Sequence, residues 1–140
     1  MRNFSKFVQQ LRPNRKVIFN LDNTIWNTTI EHHKNIKLSY IRSKINPNVY
    51  DIFESLQKNG NSLNIASRSS EPDKCKYFLK QCFRDITFDN ISIYPTKKFK
   101  VKHITDCYPN KMPSDFVIFD SEIEILQNLN KLYPECETIY

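Results

Sequence analysis

The sequence predicts an α/β fold: a three-layer α/β/α, Rossmann-like sandwich built on a mainly parallel sheet. Three observations predict it. Short continuous apolar runs recur along the chain: "KVIFN" at 16–20, "SLNIAS" at 62–67 and "DFVIFD" at 115–120. Apolar runs of strand length are what parallel strands covered on both faces require. Between the runs lie stretches whose apolar residues repeat at helical spacing, so strand and helix alternate, as crossover connections demand.

The elements follow in order. Residues 1–14 read as an N-terminal amphipathic extension, with Phe4, Phe7, Val8 and Leu11 on one helical face. The strand at 16–20 leads into a connection, 21–46, read as a flap region. Within it "NIKLSYI" alternates apolar and polar residues, as a small flap or hairpin does. Val49, Ile52, Phe53 and Leu56 then repeat as a helix that Asn59 and Gly60 terminate. After the strand at 62–67, "SEPDKCKYFLKQCF" is a helix, with Ser70 or Glu71 near its cap and Pro72 in its first turn. "DITF" and "ISIY" are short strand candidates, "KVKHITDCY" is helical, and "DFVIFD" is a further buried strand. "SEIEILQNLNKLY" and "ETIY" close the chain as helix and strand. The 140 residues make a single domain, 1–140. The stretch from Thr24 to Ser67 holds a flap and one helix, too little for a large cap domain.

Composition narrows the function classes. No apolar run approaches the roughly 20 residues that span a bilayer, so no membrane partner is expected. The N-terminus lacks the apolar core of a signal peptide, which points to a cytoplasmic or nuclear protein. Cys75, Cys82, Cys107 and Cys136 form no CxxC pair and have no histidine at zinc spacing. Cys75 and Cys82 lie two helical turns apart, about 10 Å, too far for a disulfide. They are read as reduced core cysteines. The net charge is +6, with one dense cluster, "KKFKVKH", at 97–103. A basic surface attracts phosphorylated or acidic partners. No zinc-finger, RRM or helix-turn-helix signature accompanies it, so a nucleic-acid contact is the weaker reading. A single glycine beside abundant Asn, Lys and Ile also fits an AT-rich coding sequence, which tempers any inference from lysine number.

In open α/β sheets ligands bind outside the carboxyl ends of the strands. Those ends read Asn20-Leu21-Asp22, Ser67-Arg68-Ser69 and Asp120-Ser121-Glu122. A hydroxyl after the second strand can bond a phosphoryl oxygen, a lysine from the basic segment can neutralise it, and acidic strand tips can hold a hard divalent cation. Each residue alone has an ordinary role: an Asn at a strand end forms a turn, and Asp120 caps the next helix. Trp26 reads as a hydrophobic plug at the mouth. The coincidence of three tips makes the case for a site.

The segments "FNLDNTIW", "ASRSSE", "IYPTKKFKVKH" and "IFDSE" resemble, in order and spacing, the motifs of the haloacid dehalogenase (HAD) superfamily. Its small magnesium-dependent phosphatases without a large cap are the closest match. The resemblance runs from about residue 15 to 140 and implies a HAD-like phosphatase fold, a hydrolase acting on phosphomonoesters and a Mg2+ cofactor. Position by position, Asn20 stands where the family has its nucleophilic Asp. Asp22 matches the general acid/base, and its backbone carbonyl also faces the metal. Thr24 holds the loop. Ser67, with Arg68 and Ser69, falls in the phosphate-binding motif. The motif lysine is Lys100 if "KVKH" is aligned and Lys98 if spacing is counted from "IYP"; Lys100 is preferred. Metal ligands would be Asn20, Asp22 and Asp120, with Glu122 or Glu124 in support.

Two departures matter: Asn20 replaces the nucleophile, and Ser121 replaces a usual second Asp. A neutral amide cannot form an acyl-phosphate. Both changes remove negative charge beside the same cation, so Mg2+ is expected to bind weakly or not at all. Three readings of Asn20 follow. The chain is a pseudoenzyme that keeps its phosphate pocket as an adaptor, an altered phosphatase whose parent carries aspartate, or a catalyst in which Asp22 and bound metal activate water. The expected partner is a phosphorylated protein or a small phosphorylated substrate.

Overall fold

The computed structural model describes residues 13–32, 35–95 and 115–140. Strand β1 (Lys16–Phe19) leads through a 3-10 turn (Ile30–His32) and helix α1 (Leu38–Lys44) to helix α2 (Val49–Lys58). Then come β2 (Ser62–Arg68), α3 (Pro72–Cys82), β3 (Asn90–Tyr94), β4 (Phe116–Phe119), α4 (Ile123–Leu132) and β5 (Glu137–Ile139). The strands form one sheet in the order β3-β2-β1-β4-β5, and every pairing is parallel. The three-layer α/β fold is therefore the one the alternation predicts, with no large cap among the described residues.

The register assigns the two faces. In β1, Val17 and Phe19 join Leu63, Ile65, Val117 and Phe119 against the buried sides of α2 and α3, while Ile18 joins Ile118, Leu126 and Leu129 beneath α4. Successive side chains on a strand point to opposite faces, so a four-residue strand apolar throughout must be covered twice. Phe53 of α2 is the hub of the larger core. Its ring meets Phe19 at 5.1 Å, Phe83 at 5.1 Å and Phe88 at 5.4 Å, each edge to face. Phe19 stacks on Phe119 at 4.8 Å.

Local chemistry accounts for the ends of the elements. Pro72 stands in the first turn of α3, where its missing N–H costs nothing. Asn14, Asn23, Asn35 and Asn48 adopt left-handed φ, from 58° to 70°. Asparagine tolerates that region better than other residues with a Cβ, and a chain with one glycine assigns it these turns. Gly60, at φ 80°, closes α2 against Asn14, whose N–H bonds its carbonyl at 3.2 Å.

Two expected elements differ. "NIKLSYI" runs into helix α1, not a hairpin. Alternation would turn Tyr40 inward with Ile36 and Leu38; instead Ile41 is fully buried and Tyr40 exposed, the i, i+3 pattern of Leu38 and Ile41 on a helix resting on α3. "DITF" is a turn, not a strand: Ile86 N–H bonds the Phe83 carbonyl at 3.1 Å, and Ile86 and Phe88 fill the core. The helix expected at "KVKHITDCY" and most of the N-terminal extension lie outside the described residues. Cys75 and Cys82 share α3 and are both free, as is Cys136.

Truncating the hub gives a direct check on this core. Phe53→Ala is expected to cost about 3–5 kcal/mol. Urea titration would show it as a lower midpoint with an unchanged slope.

Candidate functional site

Strand order places the site. From β1 the chain steps outward through β2 to β3, then returns to lay β4 on the other side of β1. The crevice between β1 and β4 is the switch point, where open α/β sheets take ligands. Phe19 is paired with Phe119, so Asn20 and Asp120 follow side by side just beyond the two strands. The Asn20 N–H bonds the Phe119 carbonyl at 3.0 Å.

A tight turn then follows. The N–H groups of Thr24, Ile25 and Trp26 converge on the Leu21 carbonyl at 3.1, 2.9 and 3.5 Å, and Asn23 takes its left-handed φ of 59° at the bend. The Asn20 side chain crosses this turn. Its Nδ2 donates to the Asp22 carbonyl at 2.7 Å and reaches Thr24 Oγ1 at 3.5 Å. Its Oδ1 accepts from the Ser67 hydroxyl at 3.0 Å, and Ser67 Oγ accepts the Leu21 N–H at 3.3 Å. Asn20, Asp22, Thr24 and Ser67 are thus brought together in one network across β1 and β2. Thr24 and Ser67 are buried within it.

The Asp22 carboxylate is held separately. Trp26 is fully buried, not a plug at the mouth, and its indole Nε1 donates to Asp22 Oδ1 at 2.8 Å. Trp26 is itself clamped. It bridges Ile45 in antiparallel fashion, Asn27 N–H bonds the Lys44 carbonyl at 2.7 Å, and the Asn46 side chain donates to the Thr24 carbonyl.

The second tip is tied down from outside. Glu31, in the 3-10 turn, accepts from Arg68 Nη1 at 3.2 Å and from Ser70 N–H at 3.0 Å. These bonds to Ser70, with Arg68 adding to them, hold its carboxyl below the ordinary 4.5. Ser69 is buried, its N–H bonds the Tyr94 carbonyl at 2.9 Å, and its Oγ accepts Glu71 N–H at 3.1 Å. Under this loop, burial pushes the Cys75 thiol up to about 11, which makes it a poor nucleophile at neutral pH. At the third tip Asp120 is buried, and its Oδ1 accepts Glu122 N–H at 3.0 Å. Glu122 and Glu124 are exposed at the start of α4. Lys98 and Lys100 lie outside the described residues.

Glu31 and Asn46 were not singled out in the sequence, and Trp26 was read as a plug and not as the partner of Asp22. A carboxylate, an indole and an amide in an irregular connection carry no periodicity. Only the return of 21–46 onto the strand tips gives them partners.

A Mg2+ ion needs several oxygen ligands converging on one point. Among the described residues no group of three or more His, Cys, Asp and Glu side chains does so. Asn20 turns a donor, not an oxygen, toward the Asp22 carbonyl. As folded, this donor set does not fit a divalent cation.

No protein-family model and no curated protein sequence matches the chain. Among solved structures it is similar to the N-terminal part of the protein BF1531 from Bacteroides fragilis, containing a phosphatase domain complexed with Mg. The TM-score is 0.65 at 13% identity, over 94% of this chain and 37% of that one. It is also similar to DsGPDH of Dunaliella salina, with TM-score 0.60 and 13% identity over 95% of this chain and 24% of that one. The HAD domain of the effector protein Lem4 from Legionella pneumophila, an inactive mutant, is a further match. There the TM-score is 0.59 at 17% identity, over 91% of this chain and 85% of that domain. The chain therefore spans well under half of the first two matched chains. These likenesses establish a HAD-like fold.

Two expectations follow from the ties at the tips. Trp26→Phe keeps the ring packing but removes a hydrogen bond to a carboxylate, and is expected to cost about 1.5–3 kcal/mol in chemical denaturation. Glu31 has a lowered pKa in the folded chain, so its contribution is complete above its unfolded pKa and fades as pH falls through the folded one. The stability advantage of the native chain over Glu31→Gln should then be constant near neutrality and shrink below about pH 4.5.

Proposed function

We propose that this HAD-like chain recognises a phosphomonoester at the carboxyl ends of β1, β2 and β4 and does not turn it over through a covalent intermediate. The observation that carries the reading is the state of Asn20. Its carboxamide stands where a nucleophilic carboxylate is expected, and both of its ends are engaged, with the Asp22 carbonyl and the Ser67 hydroxyl. An amide oxygen that accepts a hydrogen bond and carries no charge does not attack phosphorus.

Charge supports binding over turnover. With Asn20 and Ser121 neutral, Asp22, Asp120 and Glu122 are the acidic groups left at the first and last tips on this alignment. Each carboxylate removed from a crevice lowers its repulsion of a dianionic phosphate. Ser67, Arg68 and one of Lys98 and Lys100 are the groups we assign to the phosphate. A phosphoryl oxygen that recruits the Ser67 hydroxyl would take its proton from the Asn20 bond. The ligand is a phosphorylated protein or a small phosphorylated molecule, admitted because no large cap covers the described tips.

One observation favours a second, enzymatic reading. Trp26 orients the Asp22 carboxylate at 2.8 Å, as a positioned general base would need. In that reading Asp22 activates water directly.

Hydrolysis of an aryl phosphate in the presence of Mg2+ separates the two. The native chain should match Asn20→Ala within about threefold, while Asn20→Asp should exceed both by orders of magnitude if the rest of the site is intact. Turnover by the native chain well above Asn20→Ala, abolished by Asp22→Asn, would replace the binding reading with the enzymatic one.

A further inference from the structure

We infer that the Asn20 carboxamide is a built-in substitute for a cation: it makes the 20–24 turn independent of divalent metal, and Asn20→Asp converts the same turn into one that requires it. The inference rests on the turn's geometry and not on phosphate recognition.

The orientation of the amide is set by its partners. The Ser67 hydroxyl has one proton, and its oxygen already accepts the Leu21 N–H. That proton goes to Asn20 Oδ1 at 3.0 Å. The opposite end of the amide lies 2.7 Å from the Asp22 carbonyl and 3.5 Å from Thr24 Oγ1, and only an N–H group satisfies a carbonyl oxygen at that distance. A flipped amide would set oxygen against oxygen there and leave the Ser67 proton to find another acceptor. Asn20 thus supplies positive hydrogen where the turn presents oxygen, and oxygen where β2 presents a donor.

A carboxylate at the same position keeps the second contact and reverses the first. Its outer oxygen would face the Asp22 carbonyl with no proton between them. It would also stand beside Asp120, which follows β4 at the position matching Asn20 in the register. Two carboxylates and a carbonyl oxygen at one end of the sheet repel one another, and a divalent cation among them relieves that repulsion. They are also the hard-oxygen donor set that a divalent cation prefers. The change from amide to acid is nearly isosteric, so electrostatics and not packing decides the outcome.

The test is thermal unfolding of the full chain without any phosphate, in EDTA and in millimolar MgCl2. The native chain is expected to melt at the same temperature in both. Asn20→Asp should melt roughly 5–10 °C lower in EDTA and recover at least half of that loss in MgCl2. Asn20→Ala, which loses the brace without adding charge, should be lowered equally in both. Asn20→Asp combined with Asp120→Asn should lose the recovery. Were Asn20→Asp unfolded in EDTA, its folding on addition of MgCl2, seen by circular dichroism, would give the same answer. A native chain stabilised by MgCl2 as much as Asn20→Asp overturns the inference. So does an Asn20→Asp variant that melts with the native chain in EDTA, or one that stays depressed in MgCl2. Phosphate-binding failure would leave these melts unchanged, so the two readings fail separately.

Discussion

Everything at this site depends on the parallel pairing of β1 with β2 on one side and β4 on the other. Phe19 is in register with Ile65 and with Phe119, so β1 and β4 end in step while β2 runs on to Arg68 and sets Ser67 beside the turn. The pairing is specified because every side chain of the central strand after Lys16 is buried. A slip of one residue would send Phe19 to the α4 face and Ile18 into the phenylalanine cluster. It would also move Asn20 away from Ser67 and Asp120. The core therefore positions the polar tips, and the phenylalanine contacts around Phe53 serve the site at a distance.

The irregular connection between β1 and α2 works as a set of stitches. Trp26 holds Asp22 from within, Asn46 holds the Thr24 carbonyl, and Glu31 reaches across to the loop after β2. The Asn46 and Glu31 bonds join residues 22 and 39 positions apart, so each closes a long loop and constrains both ends, while Trp26 braces the turn four residues back. With one glycine in the chain, asparagine takes the left-handed turns, including Asn23 beside the site. The compositional bias and the conformational demand point the same way, since asparagine is the residue with a Cβ that bears positive φ best.

Asn20 and Ser121 leave the ends of β1 and β4 without charge at those two positions. The parallel sheet and its flanking helices are those of a HAD-like fold. What changes is which atoms face each other. Where an acid would need a counter-charge, the amide brings its own donor, and the turn is satisfied within the chain.

The sequence by itself determined the alternation of strand and helix, the buried strands, the helices within 46–60, 70–83 and 121–133, and the three polar tips. Those features are local: period, turn residues and caps are written in neighbouring positions. Helix α1 was not legible, because six alternating residues satisfy a hairpin as well as a helix until α3 supplies a surface for Ile41. Nor were the partners of Glu31, which lie across the fold, or the bond from the buried Trp26 indole to Asp22. Only the tertiary structure decided which end of the Asn20 amide faces the turn, because that choice belongs to the Ser67 hydroxyl of a neighbouring strand. The residue type came from the sequence; its chemistry came from the hydrogen bonds that parallel pairing imposes on it.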